Sequence, residues 1–163
     1  MGTTPILEFV SAPPRAEGST FRIHVIYTTP RETRESVRIA GLLARDLGAS
    51  LEILAPLVVP YPLPLNRPTA PASFTERSLA ALVDGCDVDV DVKILLCRDR
   101  EETIPRWLPP ESVAVIGRRR RWGPGSSRGL IRAVRRNGHQ VVVVEADHCR
   151  LVAAAPCRSQ VGS

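Results

Sequence analysis

Residues Ser112 to Glu145 constrain the fold more than any other stretch of the chain. An apolar run, Val113-Ala114-Val115-Ile116, leads into Gly117, then Arg118, Arg119, Arg120 and Arg121, Trp122, and a Gly123-Pro124-Gly125-Ser126-Ser127 turn. Beyond the turn Leu130, Ile131 and Val134 recur at helical spacing, with Ser126 or Ser127 placed to cap the helix and Asn137-Gly138 to stop it. Val141, Val142, Val143 and Val144 then form a second apolar strand. Strand, helix and strand with short connections predict a parallel pair joined by a right-handed crossover. The loop after the first strand is rich in glycine, serine and arginine and runs into a helix N-terminus, where backbone amides and the macrodipole favour anions.

The same alternation holds upstream. Thr20 to Thr28 reads as a strand centred on Phe21, Ile23, Val25 and Ile26. Thr29, Pro30 and Glu32 follow as N-cap, first helical residue and the third-position acid of a capping box. Ser36, Val37, Ala40, Leu43, Ala44 and Leu47 give that helix a face of mostly small residues suited to lying close on a sheet, and Gly48 ends it. Leu51 to Val59 is continuously apolar apart from Glu52, as in a strand covered on both faces. Pro60 to Pro71 is too rich in proline for regular structure, and reads either as a stiff crossover or as an extended docking segment for a protein partner. Ser73 to Glu76 repeats the capping box before Leu79, Leu82 and Val83. Val88 to Cys97 alternates valine with Asp87, Asp89 and Asp91 at its start, which suits a solvated edge strand. Asp99 caps a short helix carrying Ile104, Trp107 and Leu108, interrupted by Pro105.

Five strands alternating with four helices predict an α/β domain with a parallel sheet covered by helices on both faces, over residues 20–146. Residues 1–19 and 147–163 show no sustained periodicity and read as flexible extensions. With 163 residues and 44% hydrophobic content the chain has enough for one core rather than two. The formal charge is +5, with Lys93 the only lysine, and Arg118 to Arg136 contains no acidic residue, so the positive field is local. Cys86, Cys97, Cys149 and Cys157 form no closely spaced pair and the three histidines are scattered, which speaks against a zinc site. The amino-terminal residues lack a basic start and a long apolar run, and no apolar stretch could span a bilayer; the expected location is cytoplasmic, with no membrane partner.

This pattern resembles the universal stress protein family over roughly Phe21 to Glu145. Ile23 to Tyr27 falls on that family's opening strand, Thr28-Thr29-Pro30 on its usual Asp-Gly-Ser turn, and Ser36, Val37, Ala40 and Ala44 on its small helix positions. Gly117 is similar to the glycine that commonly ends its fourth strand. The resemblance implies a Rossmann-like fold of the adenine nucleotide alpha-hydrolase type, a sheet of order 3-2-1-4-5, and a homodimer through the last strand, here Val141 to Val144. It also implies an ATP site, on Thr28, Thr29, Gly117, Arg118, Gly123, Gly125, Ser126 and Ser127. The chain departs from the ATP-binding pattern at two points. Thr28 stands where the family places an aspartate, and Arg120 stands where it places a second glycine in a longer loop.

Three functions follow. The first is a non-catalytic regulatory or interaction domain of this type with weak or lost nucleotide binding. The alternatives are an ATP-binding member with an altered phosphate loop, and a basic module that holds nucleic acid or another polyanion on Arg118, Arg119, Arg120 and Arg121 with Trp122 available for stacking. An enzyme is disfavoured, because no nucleophile, base and orienting group stand at recognisable spacing.

Overall fold

The computed structural model describes residues 7–10, 21–65, 72–84, 86–119, 127–146 and 150–153. Its elements in chain order are β1 (Leu7–Val10), β2 (Arg22–Ile26), α1 (Pro30–Leu47), β3 (Ser50–Val58), α2 (Ala72–Val83), β4 (Val90–Cys97), α3 (Arg100–Trp107), β5 (Val113–Arg118), α4 (Arg128–Arg136), β6 (Gln140–Glu145) and β7 (Arg150–Ala153). They build one sheet in the order β1-β4-β3-β2-β5-β6-β7. The five central strands are parallel, as the alternation predicts, and, numbered among themselves, run 3-2-1-4-5, the Rossmann-like α/β order that the resemblance implies.

Each edge carries one strand more than the sequence predicts. β1 lies parallel to β4, pairing Leu7 with Val92 and Val10 with Leu95, so β4 is interior rather than an edge. β7 lies antiparallel to β6, pairing Val143 with Val152 and Glu145 with Arg150. Both fall in the segments read as extensions. Four residues are too few to show a two-residue period, and the partner of β1 is distant in sequence.

The side chains divide by register. Ile23, Val25, Ile53, Val92 and Val115 meet α1 and α2 on one face, where Val37, Ala40, Ala44, Leu79 and Leu82 complete a buried cluster. Ile26, Leu54, Leu95, Ala114 and Ile116 meet α3 and α4 on the other, with Ile104, Trp107, Leu130, Ile131 and Val134. Each fully buried aliphatic side chain contributes about 1.5–3 kcal/mol of transfer free energy. On the small face of α1, Ser36, Val37, Ala40 and Ala44 are buried as expected, Leu43 is partly buried, and Leu47, in the final turn, is exposed.

Helix α1 begins as predicted, with Thr29 extended at the N-cap and its Oγ1 accepting the Glu32 N–H at 3.4 Å. The reciprocal half of the capping box is not made among the described residues, because the Glu32 carboxylate turns towards Arg119. Gly48 closes the helix at a φ of 61°, the left-handed conformation that glycine adopts without a Cβ penalty.

Candidate functional site

In an open parallel sheet the ligand crevice opens at the carboxyl ends of the strands where the winding reverses. Here that point lies between β2 and β5, since the chain goes from β2 outwards to β3 and β4, then crosses to β5 on the other side. Thr28 and Thr29 follow β2, Gly117 and Arg118 end β5, and Ser127 begins the segment leading into α4. The fold therefore assembles these sequence-predicted positions at one end of the sheet. Gly123, Gly125, Ser126, Arg120, Arg121 and Trp122 lie outside the described residues.

The crevice floor is closed by α1. A Cβ at Gly117 would stand 2.6 Å from the Glu32 carbonyl oxygen and 2.8 Å from the Glu32 Cβ, so only glycine admits this approach of helix to strand. Ser36 donates its hydroxyl to the same Glu32 carbonyl at 2.9 Å, holding the first turn in place. The Glu32 side chain is 9% exposed, and its Oε1 is 3.8 Å from Arg119 Nε. A carboxylate of the protein thus already stands beside the α1 N-terminus, where the helix dipole favours negative charge.

The remaining positions are also engaged. Ser127 occupies the α4 N-cap without capping it; its hydroxyl donates instead to the Gly117 carbonyl at 3.0 Å. The Thr28 N–H donates to Thr33 Oγ1 at 3.1 Å. Thr28 Oγ1 is buried and has no partner among the described residues. Arg118 reaches across β5 and β6 to Glu145, with Nη2 to Oε1 at 2.7 Å. Of the predicted polyanion arginines, Arg118 and Arg119 therefore both face carboxylates. Val141 to Val144 lie in β6, between β5 and β7, so the strand tied by resemblance to dimerisation has a strand of its own chain on each side.

A second charged cluster was not expected. At the amino ends of the central strands, Glu52 of β3 is 3% exposed and receives Lys93 Nζ at 2.6 Å and Arg22 Nη1 at 3.1 Å, with His24 Nδ1 2.9 Å from its other oxygen. The imidazole is misaligned for a straight hydrogen bond to Glu52. Burial pushes the Glu52 carboxyl up, yet its close contacts with His24 and Lys93 outweigh it and hold the group at about 2. The available signal was Glu52 itself, an acid in an apolar strand, with His24 and Lys93 in the two strands that neighbour it.

His139 immediately precedes β6. It is buried with Nε2 3.0 Å from the Pro105 carbonyl, a contact that makes Nε2 the protonated nitrogen. Among the described residues no group of three potential ligands could hold a metal ion, and no helix is long and apolar enough to cross a membrane. No protein-family model matches the chain, and no curated protein matches its sequence.

Proposed function

We propose that this chain is a universal-stress-protein-like regulatory or interaction domain, non-catalytic, with weak or lost adenine-nucleotide binding. The observation that carries the reading is the position of Glu32. Its backbone fills the space above Gly117, and its carboxylate, beside the helix N-terminus, would repel an incoming phosphate. The strand order 3-2-1-4-5 supports the architectural half of the proposal. Thr28, Thr29 and Ser127 keep hydroxyls at the crevice, but Thr29 caps α1 and Ser127 is bonded to Gly117.

Equilibrium titration of the full chain with fluorescently labelled ATP tests this. Weak or undetectable binding agrees with the proposal. Submicromolar binding, abolished by Gly125→Ala with Ser126→Ala, overturns it in favour of an ATP-binding domain with an altered phosphate loop. The proposal includes a homodimer, with β7 as its contact strand because β7 is the outermost strand on the β6 side. Light scattering coupled to size exclusion checks that clause, and a monomer at high micromolar concentration removes it.

A further inference from the structure

We propose that the outer face of α4 is a docking surface for the phosphate backbone of double-stranded nucleic acid. Leu130, Ile131 and Val134 bury the inner face of the helix against the sheet. Arg128, Arg132, Arg135 and Arg136 are exposed on the other side. Their spacing of four, three and one residues lines them along one stripe about 12 Å long at 1.5 Å rise per residue.

No acidic residue lies in α4, and Arg132, Arg135 and Arg136 make no ion pair among the described residues. The carboxylates of the neighbouring α3 make no ion pair with Arg132, Arg135 or Arg136 among the described residues. Glu102 is bonded to Arg106 at 2.9 Å, and Glu101 lies over Gly129, in the first turn. The free positive charge is therefore concentrated in the last two turns. In this respect α4 differs from the end of β5, where Arg118 faces Glu145 and Arg119 faces Glu32.

Helix stabilisation explains only part of the stripe. Cations in the last turn complement the macrodipole, which accounts for Arg135 and Arg136. Arg128 stands at the opposite end, where the dipole disfavours a cation, and Arg132 stands between them. The chemistry of the face selects the occupant. It exposes no large apolar side chain that could enter a lipid surface, and α4 has no aromatic residue on which the bases of a single strand could stack. What remains at Arg132, Arg135 and Arg136 is a line of guanidinium groups, each able to bond a phosphate in bidentate fashion, which suits a regular duplex backbone read without sequence.

The test is anisotropy of a labelled random-sequence DNA duplex titrated with the full chain across a salt series. The structure predicts binding at low salt that weakens as salt rises. Replacing Arg132, Arg135 and Arg136 with glutamine should weaken it at least tenfold and reduce the slope of log affinity against log salt by about 2.7, at about 0.9 per phosphate contact. Removing the same charge from α1, with Arg31→Gln, Arg34→Gln and Arg38→Gln, should change affinity less than threefold. Circular dichroism melting confirms that both variants fold. No binding at the lowest salt, equal losses in the two triple variants, or tighter binding of oligothymidylate or of polyglutamate of matched charge would each overturn the proposal.

Discussion

Gly117 of β5 and Glu32 of α1 approach so closely that the space for one methyl group is missing between them. The contact is backbone to backbone, so a side chain at position 117 cannot be accommodated by rotating a neighbour. Gly117→Ala should force α1 away from the sheet and destabilise the domain by about 1–3 kcal/mol, the range for overpacking a filled core. A urea midpoint shift at constant m-value measures this. An unchanged midpoint would mean that the helix end yields freely.

Glu32→Gln separates the two roles of that residue. The amide keeps the size of the side chain and leaves the backbone contact with Gly117 intact, while the negative charge near Arg119 is removed. ATP and inorganic phosphate should then bind about fivefold more tightly, equivalent to about 1 kcal/mol for an ion pair partly exposed to solvent. Calorimetric titration of both proteins checks it. Unchanged affinity would show that the carboxylate does not stand in a phosphate's way.

Arg98 holds the proline-rich connection after β3. Its guanidinium donates to the Val59 carbonyl at 2.7 Å and the Leu63 carbonyl at 2.6 Å, and lies 4.1 Å from the centre of the Tyr61 ring. One planar group satisfies two carbonyls and one aromatic face. A lysine has neither the fork nor the plane. Both Arg98→Ala and Arg98→Lys should therefore increase the rate of limited proteolysis within residues 59–65 by severalfold. Full protection by lysine would reduce the role of Arg98 to its charge.

The central fold was legible because each element carries its own local signal: an apolar run of strand length, a capping residue, a helical stripe, a stop at Gly48 or Asn137-Gly138. The four-residue edge strands lacked such a signal, and β1 depends on a partner remote in sequence. At the candidate site the residue types were legible but their engagements were not. Ser127 looked like a cap and is instead bonded to the Gly117 carbonyl, and Glu32 looked like half of a capping box and instead faces Arg119. Both choices are decided by which backbone comes near in three dimensions. Glu52 is the clearest case: within its strand it is an exception to an apolar pattern, and only the sheet register brings His24 and Lys93 to it.

The Glu52 cluster should govern the acid limb of stability. The carboxyl ordinarily titrates near 4.5 and is held at about 2 in the fold, where burial alone would raise it and the close contacts of His24 and Lys93 prevail. The folded chain therefore binds fewer protons than the unfolded chain between these values, so stability rises with pH across that window. The contribution is fully present above about 4.5 and is lost as pH falls towards about 2. Glu52→Gln should lower stability by about 3 kcal/mol at pH 7, because Lys93 is left in a largely buried site without its counter-charge. The difference between the two proteins should then shrink as both are taken from pH 5 to pH 2.5, because acid removes from the native chain the interaction that the variant already lacks. Urea denaturation at four pH values in this range gives both numbers. A difference that stays constant down to pH 2.5 would show that the carboxylate's charge contributes no net stability.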